Sequence, residues 1–187
     1  MFLRLESQEE SLSDGDDSRP DFRGLAYKYL NPNPVEMQLA PGRLSPLCQP
    51  LLGAVVLRIL SAPKTSELPR QGLSAHLKED ITALHKAVKA AVQQSPTVER
   101  HGHYMGIDEA LLGRAGLLWA LLNIRKRGYD KDIGAALLPV IDLIPELVEA
   151  VINAGKLGAA EYVKKHGEMG AFPLMWPWLD DYYGLGA

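Results

Sequence analysis

Gly113-Arg114-Ala115-Gly116-Leu117-Leu118-Trp119-Ala120-Leu121-Leu122-Asn123-Ile124 is the stretch on which the reading of this 187-residue chain turns. From Leu117 to Ile124 almost no polar face is left. A helix that is apolar all round is one buried on every side. The two glycines before it either let another stretch of backbone come close or supply a positive φ. The stretch therefore predicts an inner helix with other helices packed around it.

The flanks agree with a helix of that length. Arg125-Lys126-Arg127-Gly128 reads as a basic last turn followed by a C′ glycine. Three adjacent cations there are read as a solvated helix end in preference to a phosphate site. Asp108 and Glu109 stand just before the helix, where carboxylates favour the dipole; capping is preferred over catalysis.

Residues 97–106 read as a loop, with His101 and His103 two apart. Two such histidines could share a metal. No third ligand is recognisable beside them, and they are read as polar loop residues.

On both sides of the inner helix lie one-faced helices. Ser74 is a candidate N-cap for a helix running to about Gln94, with Leu77, Ile81, Leu84, Val88, Ala91 and Val92 in one stripe. Residues 46–60 predict an earlier helix, with Pro50 in its tolerated first turn. Residues 131–154 predict a later one. There Leu137, Leu138, Ile141, Ile144, Leu147, Val148, Val151 and Ile152 face inward, and Pro139 and Pro145 imply a late start or a kink. Gly155 and Gly158 are expected to end it, and residues 159–165 to add one or two turns. No strand pattern of convincing length is legible. The expectation is an all-α fold of buried and one-faced helices in two layers.

Composition sets the outer limits. The chain is 47% hydrophobic, enough for one domain with a core. A net charge of −3 gives no general attraction to nucleic acid, so no nucleic-acid partner is expected. Cys48 is the single cysteine, so no internal disulfide forms; this fits a reducing, cytoplasmic compartment, with peripheral membrane association left open. No apolar run reaches the ~18 residues of a membrane span, and no integral membrane segment is expected. Residues 1–21 carry seven acidic side chains against Arg4 and Arg19 and read as a disordered acidic tail. Residues 22–45, punctuated by Pro32, Pro34 and Pro41, read as a proline-rich strap. Residues 46–187 form the domain. The aromatic C-terminal stretch, ending on Gly184-Leu185-Gly186-Ala187, suggests truncation before a further helix.

Two stretches together resemble the lanthionine synthetase C-like (LanC-like) family. The first runs from Asp108-Glu109-Ala110-Leu111-Leu112 through Gly113-Arg114-Ala115-Gly116 to Leu122, and is similar to the family's G-R-x-G helix start. The second runs from Pro173-Leu174-Met175-Trp176-Pro177-Trp178 to Tyr182-Tyr183-Gly184-Leu185-Gly186-Ala187, and resembles the segment leading into the next inner helix. The resemblance implies a partial α/α toroid, an incomplete double ring of inner and outer helices. It implies enzymes whose zinc-bound thiolate, from a peptide cysteine or from glutathione, adds to dehydroalanine or dehydrobutyrine. Zinc would be expected in a full-length member. This chain departs from the family's zinc motifs: it has no Cys-His-Gly, and Cys48 has no companion. No catalytic, cofactor or metal residue is carried over. Gly113, Arg114 and Gly116 are carried over as structural turn residues. The chain thus reads as an N-terminal portion of a LanC-like protein, inactive for zinc chemistry alone. The alternative is a non-catalytic all-α interaction module. With ring partners missing, residues 117–124 are expected to lack neighbours, leaving the chain molten or self-associating.

Overall fold

The computed structural model describes Ala40 and residues 42–62 and 74–184. The acidic tail, most of the strap and the loop after residue 62 lie outside the described residues, as does the chain terminus after Gly184. Among the described residues, five helices and four strands follow in order: α1 Pro50–Ser61, α2 Ala75–Gln93, β1 Thr97–Arg100, β2 His103–Gly106, α3 Arg114–Lys126, α4 Lys131–Ile141, α5 Ile144–His166, β3 Trp176–Leu179 and β4 Tyr182–Gly184.

The strands form one antiparallel sheet in the order β1-β2-β3-β4. This corrects the all-α expectation and, with it, the α/α toroid: the fold is mixed, a helical layer with a sheet of two hairpins. The helices between β2 and β3 bring the second hairpin back beside the first, so that Met105 pairs with Leu179.

Each hairpin has a local cause. Arg100 pairs with His103, and the two residues between them, His101 and Gly102, have φ of 53° and 79°. Two consecutive positive φ values are what a two-residue turn matching the strand twist requires. In the second hairpin Asp180 takes φ 49°, a conformation short acidic side chains tolerate. Strands of three or four residues are too short to display alternation, which is why the sequence read as loop.

The helices follow their patterns closely where capping is strong. Ser74 caps α2, its side chain accepting from the Leu77 N–H. Pro50 opens α1, where its missing donor costs nothing. Asp130 caps α4 through the Ile133 N–H at 2.8 Å. The helix expected over residues 131–154 is two helices. Pro139 is held inside α4, while α5 starts at Ile144 with Pro145 in its first turn. Leu138 and Ile152, expected to face inward, are exposed. Gly155 and Gly158 do not end α5, which continues to His166 and stops at Gly167, φ 82°.

The core joins α1, α2, α3, α4 and the start of α5 through one cluster that includes Leu52, Ile59, Leu84, Val88, Leu121, Val140 and Leu147. Between α1 and α2, Arg58 donates to both oxygens of Asp80, Nε to Oδ2 at 2.8 Å and Nη2 to Oδ1 at 2.6 Å. Leu117, Ala120, Leu121 and Ile124 are fully buried, so α3 does have partners. Its burial is one-sided, however: Trp119 is 57% and Leu122 38% exposed. The expectation of a helix enclosed all round is corrected by that open side.

Candidate functional site

The residues singled out by the sequence gather at the start of α3. Gly113 precedes the helix in extended conformation, φ −108°. Its role is close approach: a Cβ there would lie 2.3 Å from the Ile107 carbonyl oxygen. At Gly116 a Cβ would lie 1.9 Å from the Ala110 carbonyl oxygen and 2.1 Å from Ser45 Oγ. Both glycines thus clear space for backbone, and Ser45 uses that space to donate from Oγ to the Ala110 carbonyl at 2.9 Å. The N–H groups of Leu44 and Ser45 both donate to the Leu112 carbonyl, at 2.7 and 2.9 Å. The residues before α1 are therefore clamped onto the turn that opens α3.

Arg114, between the glycines, points into the protein. Its Nε and Nη2 donate to Oδ1 and Oδ2 of Asp108 at 2.6 and 3.0 Å, and the two side chains are 2% and 1% exposed. Burial pushes the Asp108 carboxyl above its ordinary range, and Arg114 opposes that rise by hydrogen bonding and charge. Asp108 is thus an internal counter-ion rather than the dipole cap expected. Glu109 accepts from the N–H groups of Leu111 and Leu112 at 3.2 and 2.7 Å, in the turn before α3, whose N-cap Gly113 offers no side-chain bond.

The second cluster joins the hairpins. The Asp180 N–H donates to the Tyr104 carbonyl at 2.7 Å, and the Tyr104 N–H donates to Asp180 Oδ1 at 2.9 Å. Asp180 Oδ2 lies 2.8 Å from His103 Nδ1. These bonds lower the Asp180 carboxyl below its ordinary value, the His103 contact contributing most. Beside it, Lys165 of α5 donates to Asp181 at 2.6 Å, which raises the lysine.

His101 stays in the turn and His103 is committed to Asp180; among the described residues no group of three His, Cys, Asp or Glu side chains is arranged to hold a metal ion. Cys48 Sγ contacts the Ser45 carbonyl at 3.4 Å, and burial raises its thiol, the reverse of an activated thiolate. At the far end of α3 the basic turn closes on Gly128, φ 72°, as a helix end should. Asp180 and its links to the first hairpin went unread, although Leu179-Asp180-Asp181-Tyr182 carries a turn signal.

No family model, curated protein or solved structure matches this chain. Among the described residues no helix is long and apolar enough to cross a membrane.

Proposed function

We propose that this chain is a scaffold portion of a LanC-like protein: it builds the G-R-x-G turn and the aromatic hairpin beside it, and carries no thiol-activating zinc centre of its own. One observation supports this above others. The two stretches that carry the resemblance are distant in sequence, yet the strand leading into the first, β2, pairs with β3 in the second. Residue types needed for a shared structural role are thus neighbours. Arg114 fits a structural part, its guanidinium being spent on Asp108 inside the protein.

The chemistry of the family would fall to residues outside this chain. Its only cysteine is tied to the loop before α1 with a raised thiol, and it has no Cys-His-Gly to join it. Glutathione or a dehydrated peptide would be handled by the complete protein, in a cytoplasmic setting. The exposed apolar surface on the helices gives this chain a second property, association with its own kind. No nucleic acid is recruited, in keeping with a net charge of −3.

The test is addition chemistry. The purified chain is mixed with zinc, glutathione and a dehydroalanine peptide, and the glutathione adduct is followed by mass spectrometry. The scaffold reading predicts the protein-free rate. It also predicts zinc-dependent addition once the chain is joined to the zinc-bearing remainder of a family member. Zinc-dependent addition by the chain alone contradicts it.

A further inference from the structure

Of the 13 prolines in the chain, only two follow a hydroxyl side chain: Pro46 after Ser45 and Pro96 after Ser95. The fold treats the two serines oppositely. Ser45 is buried, its Oγ donating to the Ala110 carbonyl at 2.9 Å and accepting from the Leu47 N–H at 3.2 Å. Ser95 is exposed in the link between α2 and β1, and among the described residues its hydroxyl has no partner.

That link is extended and fixed at both ends. Gln94, the C-cap of α2, takes φ −73° and ψ 143°. Pro96 disfavours a helical Ser95 and brings no N–H of its own. The Pro96 carbonyl accepts from the Ile107 N–H at 3.2 Å, which ties the far end to the residue after β2. Ser95 therefore presents a free hydroxyl from a short extended stretch whose next residue is proline. A kinase cleft that reads an extended chain, and selects a residue without an N–H after the acceptor, fits this geometry. The same cleft has no access to Ser45.

We propose that Ser95 is a phosphate acceptor for a proline-directed protein kinase and that the phosphate acts on the end of α2. Ser95 Oγ attacks the γ-phosphorus of ATP, the bond from that phosphorus to the bridging oxygen breaks, ADP leaves, and the hydroxyl proton passes to the kinase's catalytic aspartate. About two negative charges then stand one residue beyond the C-cap, at the negative end of the helix dipole. No basic side chain in the last turn of α2 offsets them. Arg114, whose Nη1 reaches the Gln94 carbonyl at 3.5 Å, is already held by Asp108. Because α2 brings Leu84, Val88 and Ala91 into the core, repulsion at its end lowers the stability of the helical layer.

Mass spectrometry of the full chain, after incubation with a purified proline-directed kinase and magnesium ATP, tests it. One phosphate should be added, on Ser95, with none on Ser45. Ser95→Ala and Pro96→Ala should each abolish the addition, with circular dichroism confirming their fold. Free peptides of residues 41–50 and 91–100 should both accept phosphate, because neither serine is then shielded. The phosphorylated chain should melt about 2–4 °C below the unmodified one. The acceptor assignment is overturned if the folded chain or the 91–100 peptide takes no phosphate, if the folded chain is modified on Ser45, or if addition survives Ser95→Ala. An unchanged or raised melting temperature overturns the action on α2 and leaves the acceptor standing. The zinc-addition assay is independent of either result.

Discussion

Arg114 meets Asp108 through two nearly parallel contacts, Nε to Oδ1 at 2.6 Å and Nη2 to Oδ2 at 3.0 Å, with both side chains out of water. Removing one partner leaves the other charge buried alone. Arg114→Met should cost about 3–5 kcal/mol, measured as a fall in the urea midpoint. The double variant Asp108→Leu with Arg114→Met should recover most of that loss, because no charge is stranded.

Gly158 lets β3 lie on α5. A Cβ there would sit 2.1 Å from the Met175 carbonyl oxygen and 2.9 Å from Pro177 Cδ. Gly158→Ala should cost about 2–3 kcal/mol in thermal or urea unfolding, by forcing the second hairpin off the helix. Gly134, with open space around its Cβ position inside α4, is the control. Gly134→Ala should stabilise by up to about 1 kcal/mol.

Trp176 is pinned to the same helix. Its Nε1 donates to the Val151 carbonyl at 2.8 Å, and its ring lies over Gly155. Trp176→Phe keeps a ring and removes the donor, and should cost about 1 kcal/mol in the same measurement.

The hairpin seam should weaken in acid. The folded-state pKa of Asp180 is lowered, so its contribution is complete above the ordinary carboxylate range. It is lost as the pH falls through that range and below it. Amide exchange at Tyr104, whose N–H donates to Asp180, should accelerate over that window beyond the chain's average. In Asp180→Asn this extra pH dependence should vanish.

The helices were legible because each carried its own signals: Ser74 before the stripe of α2, Pro50 in the first turn of α1, Gly128 after the basic turn of α3. Burial was legible only in part. Apolar content placed residues 117–124 inside, but which residues face the core depends on neighbours, and Trp119 and Leu122 were left outside. Gly155 and Gly158 read as a helix end because glycine is a poor helix former. Their actual function, admitting Trp176 and Met175 against α5, is a tertiary fact no local pattern records. Gly113, Arg114 and Gly116 were singled out as turn residues; Gly113 immediately precedes α3 and the other two lie in its first turn, while the partner of Arg114 was read as a cap. The sheet escaped notice because its strands are short and because the link between Met105 and Leu179 spans three helices.

The meeting of the two hairpins both defines the mixed fold and supports the proposed scaffold role. The most direct measurement is nuclear Overhauser contacts in an isotope-labelled chain. Cross-strand contacts between Met105 and Leu179, and between the Asp180 amide and Tyr104, are the predicted result. Sequential helical contacts through residues 97–106 or 176–184, or no contact between these two segments, would contradict it.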